Sequence, residues 1–129
     1  MVKNILTILV LFIAAQSFGQ EKTFDVVEEQ PEFKGGTSNL YKYLSDNIKY
    51  PKKCRKKEIT GKVYVQFVID KDGSVTDVKT LRSPHKLLTK EAERVVKKMP
   101  KWTPGEHKGK PVKVRNTLPI HFDLTDPED

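Results

Sequence analysis

Gly61-Lys62-Val63-Tyr64-Val65-Gln66-Phe67-Val68-Ile69-Asp70-Lys71-Asp72-Gly73 decides the reading of this chain. Val63, Val65, Phe67 and Ile69 alternate with more polar residues. Period-2 alternation is the mark of a strand with one buried face. Asp72-Gly73 then interrupts, and a second β-rich run follows from Val75 to Leu81. An Asp-Gly pair between two such runs is a strong local hairpin signal, because glycine takes positive φ without a steric penalty. The second run alternates less cleanly, since Val75 and Leu81 share a parity that Val78 does not, so a bulge is expected in it.

After the hairpin, Leu88, Ala92, Val95, Val96 and Met99 recur at helical spacing. Thr89 is expected to cap this helix, with Glu91 near the positive end of its dipole. Pro100 stops it. Trp102, Pro104 and Gly105 belong to a turn in which Trp102 is expected to wedge the core closed. A last strand is expected from about Pro111 to Leu124. There Val112, Val114, Leu118, Ile120, Phe122 and Leu124 share one parity, and Lys113, Arg115, Thr117, His121 and Asp123 the other.

Before the hairpin, Leu40, Tyr41, Leu44 and Ile48 form an apolar stripe, with Thr37 or Ser38 as the cap. Pro51 limits this helix, because the residue before a proline avoids helical geometry. Residues 52–58, with Lys52, Lys53, Arg55, Lys56 and Lys57 around Cys54, are expected to form a solvated connector. Residues 20–35 are polar and read as an extended arm. The order helix-strand-strand-helix-strand implies an α+β fold: two helices packed on one face of a small, mainly three-stranded antiparallel sheet.

The start of the chain reads differently. Lys3 and Asn4 lead into an apolar run from Ile5 to Ala15, followed by Gln16, Ser17, Phe18 and Gly19. A basic start, an apolar centre and small residues describe a secretory signal peptide, expected over residues 1–19. As a helix the run reaches only about 16 Å, at roughly 1.5 Å per residue. A bilayer core needs about 30 Å. The expected location is therefore the periplasm, the alternative being an inner-membrane anchor facing the periplasm. About 110 residues remain, enough for one domain, here residues 36–124, with residues 125–129 as an acidic tail.

Of the 129 residues one is cysteine, so an internal disulfide framework is excluded. The net charge of +7 is scattered over helices, strands and loops, and no nucleic-acid partner is expected. His85, His107 and His121 lack the spacing of a metal site, and no metal or other cofactor is expected. Asp70-Lys71-Asp72-Gly73 starts like a calcium loop but lacks glycine at the sixth and glutamate at the twelfth position. Cys54 with a distant histidine could suggest a thiol hydrolase, but nothing supplies an oxyanion motif or an orienting partner. Enzymatic activity is not expected.

With Glu32-Phe33-Lys34-Gly35-Gly36, Tyr50-Pro51, the run from Gly61 to Asp70, Asp72-Gly73, Glu91-Ala92, Met99-Pro100-Lys101-Trp102, Pro104-Gly105, Gly109-Lys110 and Leu118-Pro119-Ile120-His121-Phe122 in this order, the chain resembles the TonB C-terminal domain family. The form it resembles is the stand-alone, Bacteroidetes-type one. The resemblance spans about residues 31–124.

It implies protein binding in TonB-dependent transport. TonB proteins link inner-membrane ExbB–ExbD complexes to outer-membrane transporters, and the C-terminal domain captures the transporter's TonB-box segment as an added strand. Carried onto this sequence, the peptide-binding strand is Val112, Lys113, Val114, Arg115, Asn116, Thr117 and Leu118. An open edge of this kind carries unpaired main-chain groups. It would also support a weak homodimer or, as the alternative function, a structural or assembly role in the envelope without energy transduction. The sequence departs from a full transducer in lacking a proline-rich spacer after the leader, so a partnership with ExbB–ExbD would require a retained leader. Cys54 stands where the family commonly has a small residue.

Overall fold

A computed structural model describes residues 22–124. The proposed leader and the acidic tail lie outside the described residues. In chain order the elements are β1 (Thr23–Phe24), α1 (Thr37–Asn47), α2 (Lys52–Lys56), β2 (Gly61–Ile69), β3 (Val75–Arg82), α3 (Lys86–Lys97), β4 (Gly105–His107) and β5 (Lys110–Phe122). The strand order is β1-β5-β2-β3, with β4 paired to β5. The fold is α+β, and the three long strands and two long helices follow the order the sequence implies. Three short elements are additional: β1, β4 and α2.

The hairpin forms as its sequence dictates. Gly73 takes φ 90°, and the Asp70 N–H donates to the Ser74 carbonyl at 2.8 Å. Asp72 Oδ1 accepts from both the N–H and the hydroxyl of Ser74. Those bonds hold the Asp72 carboxyl down to about 2. The expected irregularity in β3 is present. Gln66 pairs with Lys79 but Val68 with Thr76, so β3 spends an extra residue there, and Asp77 sits at φ 50°.

Val63, Val65, Phe67 and Ile69 from β2 meet Leu88, Ala92, Val95 and Val96 from α3 in one core with Leu118, Ile120 and Phe122 of β5. Burying such side chains contributes roughly 1.5–3 kcal/mol each. Trp102 closes the core as expected. Its ring stands edge-on to Phe33 at 5.4 Å and tilted to Phe67 at 5.8 Å.

Four local expectations are corrected. The cap of α3 is His85, whose Nδ1 accepts from the Leu87 N–H at 3.0 Å, so Thr89 and Glu91 fall inside the helix. The cap of α1 is Gly36 at φ 89° with no side-chain bond, because the turn needs a positive φ that Thr37 and Ser38 resist. Tyr41 is 57% exposed, whereas Tyr43 packs on Phe33 and donates its hydroxyl proton to the Val95 carbonyl. Residues 52–56 form a short helix rather than a connector. Pro51 presets its start, the Pro51 carbonyl accepts from the Arg55 N–H, and Cys54 is turned fully inward.

A bidentate pair ties α1 to α3. Arg94 donates to both carboxylate oxygens of Glu91, at 2.8 and 2.7 Å, and also to the Asn47 carbonyl at 2.9 Å. Glu91 in turn accepts the Lys49 N–H at 2.6 Å. Burial pushes the Glu91 carboxyl up, but the bonds from Arg94 and Lys49 outweigh it and hold it below the usual value. The chain leaving α1 is thereby fixed to α3.

Candidate functional site

The last strand has two sides, and the register shows how each is used. Main-chain groups of successive residues in a strand point to opposite sides. Asp70 spends its N–H on Ser74, toward β3. Counting back, the even residues of β2 face β3 and the odd ones face β5. Val63, Val65, Phe67 and Ile69 pair with Ile120, Leu118, Asn116 and Val114. The even residues of β5 are therefore held in the β2 ladder. Lys113, Arg115, Thr117, Pro119 and His121 turn their main-chain groups the other way. Pro119 agrees with this parity, because a proline facing β2 would cost the ladder a donor.

On that second side β1 runs parallel to β5, pairing Thr23 with Lys113 and Phe24 with Val114. Among the described residues no strand pairs with Asn116–Phe122 there. The seven residues expected to receive a peptide thus divide. Lys113 and Val114 lie beside β1, and Val112 pairs with Gly105 of β4. Asn116 and Leu118 turn their main chain to β2. Arg115 turns its main chain to the end of β1, and Thr117 keeps its own on the unpaired edge, which continues through Pro119 to His121.

Beside this edge lies a groove of about 330 Å³ that sequence reasoning missed. Tyr41, Leu44 and Ile48 form one wall, and Pro119 to Phe122 the other. Tyr50 closes it, edge-on to Phe122 at 5.6 Å. The signal in the sequence was Tyr41, an aromatic residue at the flank of the helix stripe that the structure leaves exposed.

The face of the sheet turned away from the helices is basic. The register places Lys62 opposite His121, and Gln66 between Thr117 and Lys79. Tyr64 lies between Pro119 and Arg82, and Val68 opposite Arg115. The Arg115 guanidinium holds Asp25 at 2.8 Å, and His121 lies 3.5 Å from Asp123. An extended segment laid along Arg115–His121 would put alternate side chains over this basic face and into the groove.

The three histidines lie apart. His85 caps α3, His107 packs on Phe24 at 5.0 Å, and His121 sits on the basic face. Among the described residues no group of three or more His, Cys, Asp or Glu could hold a metal ion. Cys54 Sγ lies 3.7 Å from His85 Nδ1, which already accepts the Leu87 N–H, and the thiol has no exposed surface. Among the described residues no helix is long and apolar enough to cross a membrane.

Comparison with known proteins matches residues 46–124 to the family described as Gram-negative bacterial TonB protein C-terminal. No curated protein matches the chain. Among solved structures it is similar to the C-terminal domain of Helicobacter pylori TonB, with 29% identity and a TM-score of 0.53 over 69% of this chain and 80% of that one. A shorter form of that domain gives 29% identity and a TM-score of 0.55, covering 69% of this chain and 94% of that one. The Pseudomonas aeruginosa TonB C-terminal domain gives 27% identity and a TM-score of 0.51, covering 63% of this chain and 82% of that one.

Proposed function

This chain belongs to the TonB C-terminal family, and from that premise we propose that it binds an extended segment of an outer-membrane transporter as a strand added to the free side of β5. The family acts in TonB-dependent transport in the Gram-negative envelope. The observation that carries the finer reading is the unpaired run Thr117–His121 beside the groove of Tyr41, Leu44 and Ile48.

Main-chain pairing supplies affinity and the alternating side chains supply selectivity. The basic face favours a segment with carboxylates on one side, and the groove favours apolar residues on the other. Each main-chain bond contributes roughly 1 kcal/mol net, and ordering a flexible peptide offsets much of the sum. The expected affinity is on the order of micromolar. The reading assigns the domain a binding role without catalysis, in the periplasm, with residues 1–19 as a cleaved leader. A retained leader would extend it to an ExbB–ExbD partnership.

The test is a titration of the labelled protein with a TonB-box peptide, followed through backbone amide resonances. The expected result is saturable perturbation at Arg115, Thr117 and His121 and along Tyr41–Ile48. Perturbation confined to β3, or none at millimolar peptide, would overturn the reading. Perturbation of the same edge by raising protein concentration alone would favour self-assembly instead.

A further inference from the structure

The arm before α1 is held in two different ways. From Val27 onward it is built into the domain. Val27 and Phe33 are buried, Glu29 exchanges two main-chain bonds with Glu106, and Glu32 exchanges two with Thr103. Upstream of Val27 the hold is light. Val26 is 79% exposed, and the attachment seen among the described residues is the short β1 pairing, the Asp25–Arg115 ion pair at 2.8 Å and the contact of Phe24 with His107. The ion pair joins side chains 38% and 68% exposed, a setting in which such pairs contribute little.

What this light segment covers matters more than how tightly. Lys113 and Arg115 flank Val114, the register partner of Phe24, so β1 engages the outward main chain at this end of β5, and Arg115 is the first cation on the way to the free run. β1 uses that main chain and Asp25 uses that cation. The segment is a two-residue strand, Thr23-Phe24, followed at once by a carboxylate on Arg115, the chemistry that the edge and the basic face select.

We propose that residues 22–26 are an internal competitor for the receiving edge: they occupy its Lys113–Arg115 end, and an incoming acidic, extended peptide displaces them by taking over Lys113 and the Arg115 guanidinium. The inference rests on the strand-capture reading and adds regulation to it. Val26 is the hinge, because the chain on its far side stays anchored by Val27, Glu29 and Glu32. The partner's chemistry follows as well: it carries a carboxylate at the position that reaches Arg115.

The experiment uses the mature full chain and the double variant Phe24→Ala/Asp25→Ala, titrated with a TonB-box peptide and with a synthetic copy of residues 22–31. Release of the arm should raise affinity for both probes about three- to tenfold, the equivalent of one main-chain bond. In the wild type, saturation with the TonB-box peptide should move the Thr23 and Phe24 amides to the positions they have in the variant. If the TonB-box peptide binds both proteins equally and leaves Thr23 and Phe24 unmoved, the competitor role is overturned while strand capture stands. If neither probe binds either protein, both proposals fail. Asp25→Glu, which keeps the carboxylate, should bind like the wild type; a gain equal to that of the double variant would also overturn the role given to the ion pair.

Discussion

The Trp102 N–H donates to the Gly73 carbonyl at 2.8 Å, and a Cβ built on Gly73 would lie 2.0 Å from the Trp102 carbonyl oxygen. The tip of the β2–β3 hairpin is thus docked main chain to main chain on the segment that follows α3. Glycine is needed twice over, for φ 90° and for the close approach.

Gly73→Ala is therefore expected to destabilise the fold by about 3 kcal/mol, from left-handed strain plus retreat of the Trp102 backbone. Urea unfolding measures the loss. Trp102 emission should shift to the red in the folded state as the indole becomes wetter. A variant with unchanged midpoint and emission would show that the docking is incidental.

The hairpin was legible because its determinants are local: alternation in Val63–Ile69 and the Asp-Gly pair suffice. The contact of Gly73 with Trp102 was not, because it joins segments that no periodicity relates. The same distinction explains the site. That the last strand would have one buried face was visible in Val114, Leu118, Ile120 and Phe122. Which main-chain groups would be left over was not, because that depends on the register against β2. The pairing of β1 is parallel and distant in sequence, and nothing in Thr23-Phe24 announces it. His85 was missed as a cap because its ring nitrogen does the work usually given to a hydroxyl or carboxylate.

Glu91 makes stability depend on pH. Its folded value lies below the ordinary 4.5, so its contribution is fully present above that pH and is lost as pH falls through the lower folded value. Glu91→Gln removes the charge-assisted bonds to Arg94 and Lys49 and should cost about 1–2 kcal/mol at neutral pH. The gap between wild type and variant should narrow once pH drops below 4.5. Thermal unfolding from about pH 7 to about pH 3 measures it. A gap that stays constant would remove Glu91 as its source.

Cys54 is fully buried, and its sulfur touches the ring of the capping histidine. It should behave as a small apolar side chain. Cys54→Ala is expected to fold, to lose about 1 kcal/mol and to bind peptide unchanged. The wild-type thiol should react with a disulfide reagent only after denaturation. A disulfide-linked dimer as the main species on non-reducing gels would contradict this burial.

Two prolines placed side by side in β5 test the division of its main chain. Thr117 turns its N–H to the free side and Asn116 turns its N–H to β2, where it is paired with Phe67. Thr117→Pro should therefore keep the β2 ladder, fold with a circular dichroism spectrum like the wild type, and lose a donor needed by an added strand. Proline is tolerated at such outward positions, as Pro119 already shows two residues along. Peptide affinity should fall about tenfold, from the missing bond and the ring standing in the partner's path. Asn116→Pro removes a ladder bond and sets the ring against β2, so its effect should be on stability, at about 3 kcal/mol. Measured together, the pair separates a binding edge from a structural one. Weakened binding in the folded Thr117 variant, with destabilisation in the Asn116 variant, is the expected pattern. The reverse pattern would mean that β5 presents its even residues to the partner. Normal peptide affinity in a folded Thr117→Pro protein would mean that the partner docks elsewhere.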